Sequence, residues 1–117
     1  MTLCYGVRSA DLLAGVEDFR AAGIDVRIAS DDGSVGHRGF VTNLLAELLA
    51  NDDPTNCRVV CCGPEPMMEA TAHLCGEHGV RCEVSLETPM ACGIGICFSC
   101  VAKVRQQEGG WDYRRTC

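Results

Sequence analysis

The chain has 117 residues, of which 47% are hydrophobic, and carries a formal net charge of −6 from 10 basic and 16 acidic side chains. That length holds one domain or a piece of one, with an apolar share ordinary for a packed core. Charges of both signs are dispersed, so no basic stripe or aromatic platform invites a nucleic acid. No apolar stretch is long enough to span a bilayer, and with no targeting signal the expected compartment is the cytoplasm.

The first ninety residues alternate between strand-like and helix-like segments. Leu3 to Val7 is a short apolar run that reads as a strand. Ser9 is placed to cap a following helix, with Asp11 in its first turn. Leu12, Leu13, Val16 and Phe19 form its apolar stripe, and Gly23 ends it. Ile24 to Ala29 alternates apolar and polar residues and reads as a second strand. Ser30 to Gly39 is a loop rich in Gly and Asp. Val41, Leu44, Leu45, Leu48 and Leu49 fit the helical template i, i+3, i+4, i+7, i+8.

Cys57 to Cys62 (CRVVCC) reads as a strand apolar enough to be buried on both faces. Gly63-Pro64-Glu65-Pro66 turns into a helix from Met67 to about His78, since proline suits a first helical turn. Val80 to Leu86 is a fourth strand. Strands and helices alternating at this length imply parallel βαβ units with right-handed crossovers. After Pro89 glycine and cysteine dominate and periodicity fades. The expected division is an α/β lobe over 1–88 and a small second lobe over 89–117. In the second lobe, Val101 to Arg105 reads as a strand and Gln106 to Gly110 as a loop or hairpin tip.

The second lobe carries the chemistry. Cys92, Cys97 and Cys100 stand in a C-x4-C-x2-C pattern, and Cys117 follows after a further sixteen residues. This is the plant-type ferredoxin spacing, in which four thiolates hold a [2Fe–2S] cluster. Between the first two ligands lies Gly93-Ile94-Gly95-Ile96. Glycines there let the backbone bend and bring N–H groups close to sulfur.

Three other uses of cysteine compete. A structural zinc site generally takes two short pairs, and only Cys97–Cys100 is one. A disulfide framework suits ten cysteines in a small secreted domain, but Cys61-Cys62 sits in a strand-like apolar run. A redox dithiol at Cys97–Cys100 leaves Cys92 and both glycines without a purpose. Cys4, Cys57, Cys61, Cys75 and Cys82 read as small buried hydrophobes. The three histidines read as surface or capping residues. Met67 and Met68 are open to either cofactor contact or core packing, and Trp111 and Tyr113 to shielding a cluster or meeting a partner.

Gly6-Val7-Arg8-Ser9, Asp31-Asp32-Gly33-Ser34-Val35-Gly36, Gly39-Phe40-Val41-Thr42 and Cys62-Gly63-Pro64-Glu65-Pro66-Met67-Met68 resemble the pyridine-nucleotide lobe of the ferredoxin-NADP reductase superfamily. With Glu87-x-Pro89-Met90-Ala91-Cys92-Gly93-x-Gly95-x-Cys97-x-x-Cys100 following, the chain is similar to the electron-transfer subunits of dihydroorotate dehydrogenase type B. The resemblance covers essentially the whole chain. It implies a partial Rossmann-like parallel sheet followed by a [2Fe–2S] lobe. It also implies a hetero-oligomer with a catalytic subunit that oxidises dihydroorotate on its own flavin. Electrons would pass through the cluster to FAD and then to NAD⁺, in pyrimidine biosynthesis. It carries Cys92, Cys97, Cys100 and Cys117 over as cluster ligands. The turn after the CRVVCC strand resembles the family's nicotinamide-side contact, so Cys62, Gly63 and Met67 become candidates. Gly6, Arg8, Asp31 and Asp32 lie at other strand ends, where an open parallel sheet binds its ligands.

The chain also departs from the family. It has no FAD-binding β-barrel segment, and no opening strand with a Gly-rich pyrophosphate turn. The family's sheet order puts that strand at the centre, between Leu3–Val7 and Cys57–Cys62. The expectation is therefore a fragment of a longer protein, inactive alone, whose two central strands either pair directly or keep open edges. Other NAD(P)H-linked reductase subunits (hydrogenase, sulfite reductase or transhydrogenase types) share the Cys-Gly-Pro turn and stand as the rival reading. A zinc-binding interaction module is the rival from another class.

Overall fold

Strand β1 (Thr2–Val7) runs parallel to β2 (Asp25–Ser30) and pairs with it at all six positions, from Thr2↔Asp25 to Val7↔Ser30, in a computed structural model that describes all 117 residues. The crossover between them is less helical than the apolar stripe suggests. Gly15 adopts φ +68 and splits it into a 3-10 turn at Ala10–Leu12 and a short helix α1 (Val16–Ala21). Ser9 makes no cap bond; its hydroxyl turns to the Asp11 carboxylate instead. The predicted stop at Gly23 holds. Ile24 N–H reaches the Phe19 carbonyl and Gly23 N–H reaches that of Arg20, satisfying carbonyls that a helix end leaves open.

A two-residue strand β3 (His37–Arg38) adds to the far edge of β2. Helix α2 (Val41–Asn51) then crosses back, burying Leu44 and Leu49. It stops at Asp52-Asp53-Pro54, where the Asp53 carboxylate accepts the Thr55 N–H at 2.9 Å and caps the next 3-10 turn.

Strand β4 (Arg58–Cys62), helix α3 (Glu65–Glu77) and parallel strand β5 (Arg81–Ser85) make a second βαβ unit. Helix α3 begins two residues earlier than the sequence suggests, because Pro66 fits within its first turn. Met68, Thr71 and Cys75 are its buried positions, so Met68 serves packing. The helix ends in the same way as α1, with Val80 N–H on the Cys75 carbonyl and Gly79 N–H on that of Gly76. Leu49, Cys75 and Val80 form the main core, packed by Leu45, Cys57, Val59, Leu74 and Cys82. Burying a side chain such as Leu49 contributes roughly 1.5–3 kcal/mol.

The two units do not share a sheet. Strands β1, β2 and β3 form one, β4 and β5 another, and an antiparallel hairpin of β6 (Val101–Arg105) and β7 (Trp111–Arg115) a third. Strands β1 and β4 therefore do not pair directly, and each presents an unpaired edge. A groove of about 520 Å³ lies there, lined among others by Leu3, Cys4, Leu45, Val60 and Cys61. This corrects the expected two-face burial of CRVVCC: Val60 is 70% exposed and Cys62 is exposed too. The reason is that only one face is covered: Val59 packs on the Leu49–Cys75–Val80 core, while Arg58, Val60 and Cys62 alternate onto an exposed face.

Candidate functional site

The cysteine loop is built around its glycines. Gly93 and Gly95 adopt φ +68 and +75, the left-handed region that side-chain-bearing residues avoid. With the chain turned twice in this way, the backbone amides of Cys97, Ile94 and Ile96 act on the Cys92 sulfur. Those hydrogen bonds, that from Cys97 foremost, pull the Cys92 thiol down to about 6. Such a nest of N–H groups favours the thiolate, the form that ligates iron. The Cys97 thiol is also lowered, chiefly by the Ser99 hydroxyl, which lies 3.1 Å from its sulfur.

The other two candidate ligands come together from opposite ends of the lobe. Cys100 is fully buried just before β6, and Cys117 follows β7. The hairpin joins them: Thr116 donates its N–H at 2.9 Å and its hydroxyl at 3.2 Å to the Cys100 carbonyl. The Thr116 hydroxyl also meets that of Thr88, tying the strand end to the entry segment of the lobe. These bonds hold the last residue in place beside Cys100. The Cys117 thiol is raised, first by its side-chain hydrogen bond with Cys100.

Cys97 acts on the Cys92 thiol and Cys100 on the Cys117 thiol, and a Cβ on Gly95 would lie 3.9 Å from the Cys117 sulfur, so the loop and the chain's last residue meet. No group of three or more Cys, His, Asp or Glu side chains converges as a single metal ion would require. Around the loop, Ile94, Ile96 and Phe98 are exposed, and the Arg115 guanidinium lies 4.9 Å from the Phe98 ring centre. Trp111 and Tyr113 sit on β7 in edge-to-face contact at 5.1 Å, with Lys103 over Trp111. They cover each other on the hairpin, a strand that the sequence pattern did not reveal.

A second site lies at the carboxyl ends of β1 and β2, beside the turn that follows β4. It is a pocket of about 420 Å³. Of the seven residues considered for nucleotide contact, Gly6, Arg8, Asp31 and Met67 line it. Asp32, Cys62 and Gly63 do not. The Asp32 carboxylate is bound by the Ser34 hydroxyl at 2.6 Å and its N–H at 2.9 Å, which lower its pKa. Cys62 faces the groove between β1 and β4. Gly63 has a supporting role: a Cβ there would stand 2.7 Å from the Met67 methyl, so its bareness lets Met67 lie over the turn. Phe40, Thr42 and Pro64 also line the pocket, and each lies in a motif that carried the family resemblance. The histidines stay outside both sites: His37 pairs with Asn43, His78 with the Leu74 carbonyl, and His73 with Glu69 on the surface.

Comparison with known proteins bears on the cysteine lobe first. Residues 87–117 match the family described as the iron–sulfur cluster binding domain of dihydroorotate dehydrogenase B. Most of the chain is similar to proteins named dihydroorotate dehydrogenase B (NAD(+)), electron transfer subunit. The one from Caldanaerobacter subterraneus subsp. tengcongensis is 39% identical over 87% of this chain and 39% of its own length. The one from Fusobacterium nucleatum is 38% identical over 98% of this chain and 42% of its own length. Residues 87–117 belong to that cluster-binding family, and the chain as a whole is similar to these subunits. It spans about two fifths of the length of these relatives. A solved chain from work on flavin-based electron bifurcation by the NADH-dependent reduced ferredoxin-NADP oxidoreductase is 30% identical. It superposes with a TM-score of 0.67, over 86% of this chain and 35% of that one. The α/β architecture with parallel strands is thus shared with that solved chain. No helix is long and apolar enough to cross a membrane.

Proposed function

We propose that this chain is the nucleotide-lobe and cluster-lobe portion of an electron-transfer subunit, divided at residues 1–88 and 89–117. Cys92, Cys97, Cys100 and Cys117 hold a [2Fe–2S] cluster. In the full-length subunit, electrons from a partner that oxidises dihydroorotate reach NAD⁺ by way of the cluster and FAD. The observation that carries this reading is the Cys92–Cys100 loop, turned at Gly93 and Gly95 so that a Cβ on Gly95 would lie 3.9 Å from the Cys117 sulfur. A cluster supplies single-electron relay between flavins that also handle electron pairs. The protein's part is to hold two thiolates from one tight loop and two from a hairpin base, with amides and a hydroxyl aimed at the sulfurs.

The pocket at the strand ends supports the nucleotide half of the reading. Arg8 is its one cationic wall residue, suited to a phosphate, and to Asp31, also in the wall, we assign a ribose hydroxyl. The 117 residues alone are proposed to be inactive in turnover, since nothing in them resembles the family's FAD-binding barrel. The working complex is a cytoplasmic hetero-oligomer with the dihydroorotate-oxidising subunit.

Anaerobic reconstitution with iron and sulfide tests the cluster. About two irons per chain and a reduced-state EPR signal, both lost in Cys97→Ser, are the expected result. Zinc uptake with no iron and no signal would sink the cluster and favour a zinc-binding module. Co-purification of the full-length subunit with a dihydroorotate-oxidising partner separates this reading from other NAD(P)H-linked reductase subunits.

A further inference from the structure

The Ser99 hydroxyl lies between two groups. Its oxygen is 3.3 Å from the Ala91 N–H, which donates to it, and 3.1 Å from the Cys97 sulfur. A free Cys97 thiol leaves open which of the two donates. A metal-bound Cys97 sulfur has no proton, so there the hydroxyl alone donates. Since the hydroxyl oxygen already accepts from Ala91, its single proton is directed at sulfur, and the two bonds polarise each other.

We propose that Ser99 sets the reduction potential of the site, resting on the cluster reading above. It is a positioning and tuning residue and does not exchange electrons itself. On one-electron reduction, negative charge rises on the sulfurs, and the Ser99 O–H dipole stabilises that charge at Cys97. No proton transfers; the hydroxyl stays intact in both states. Hydrogen bonds to the sulfurs are one of the factors that set such potentials. The bond therefore favours the reduced state and raises the midpoint. Only the difference between its strength in the two states counts, a fraction of a charge-assisted hydrogen bond. Its loss is expected to lower the reduction equilibrium constant roughly three- to tenfold, where tenfold is about 59 mV for one electron.

The test is a potentiometric EPR titration of the anaerobically reconstituted chain with iron content measured in parallel, for wild type, Ser99→Ala and Ser99→Thr. The expected result is full iron loading in all three, a lower midpoint in Ser99→Ala, and a midpoint near wild type in Ser99→Thr, which keeps the hydroxyl. An unchanged midpoint in a loaded Ser99→Ala overturns the proposal. So does a Ser99→Ala chain that takes up no iron while Ser99→Thr does, because the hydroxyl would then serve assembly. Failure of the wild type itself to take up iron sinks the cluster reading instead, so the two failures are distinguishable.

Discussion

Gly36 and Gly79 have almost the same backbone conformation, φ +64 and φ +67, but different surroundings. Around Gly79, an added Cβ would meet nothing within 4 Å. An alanine there costs only the left-handed conformation, about 1–2 kcal/mol. At Gly36 the Cβ would stand 2.1 Å from the Ile28 carbonyl oxygen and 2.7 Å from its carbon. Ile28 lies in β2, which is paired with β1 at all six positions, so the strand resists moving. The loop must instead retreat by roughly 1 Å to regain normal contact. Retreat breaks the Val35 N–H bond to the Ser30 hydroxyl at 3.1 Å and the Ser30 bond to the Val35 carbonyl at 2.6 Å. It also strains the short pairing of β3, from Ala29↔His37 to Ser30↔Arg38. Two or three hydrogen bonds at about 1 kcal/mol each, added to the backbone cost, give roughly 3–5 kcal/mol. Urea unfolding followed by circular dichroism, with a shared slope for both variants, measures the two costs. A Gly36→Ala variant no less stable than Gly79→Ala would refute the steric argument and show the loop to be free of β2.

Two further predictions follow from the cysteine loop and the open strand edges. In the metal-free chain, Cys92 is held down to about 6, so its thiolate persists as pH falls until near that value. Cys75, pushed up to about 11 by burial, stays a thiol throughout the same range. Iodoacetamide labelling read by peptide mass spectrometry should show Cys92 modified with a half-point near pH 6; a half-point near 9 would mean that the amide nest does not form. The unpaired edges of β1 and β4 should make the chain self-associate by strand pairing as concentration rises. Val60→Lys, at a position 70% exposed on β4, should lower that association in sedimentation velocity, and equal association in both proteins would exclude the edge as its cause.

The parts legible in the sequence are those set by local chemistry. The α2 stripe, the stop at Gly23 and the end of the third helix near His78 each report on neighbours a few residues away, and each stands in the structure as read. The parts that were not legible depend on what lies across space. Gly15 breaks the first crossover because its own φ leaves the helical region, while Leu12, Leu13, Val16 and Phe19 keep helical spacing on both sides of it. Ser99 looked like any loop serine, since its role needs Ala91 and Cys97 brought to either side of it. Strand β4 is the most instructive case. Its CRVVCC pattern suits burial on both faces, and the fold covers only the face of Val59 and Cys61. Hydrophobic pattern reports the surroundings for which a strand is suited, whereas exposure reports those it has. The difference at Val60 measures how far the β1–β4 groove stands from the environment its own residues favour. For the same reason, the cysteine lobe depends less on distant packing than the pocket does. Its four sulfurs are held by bonds within residues 88–117, whereas Arg8, Asp31 and Met67 meet only through the packing of two separate sheets.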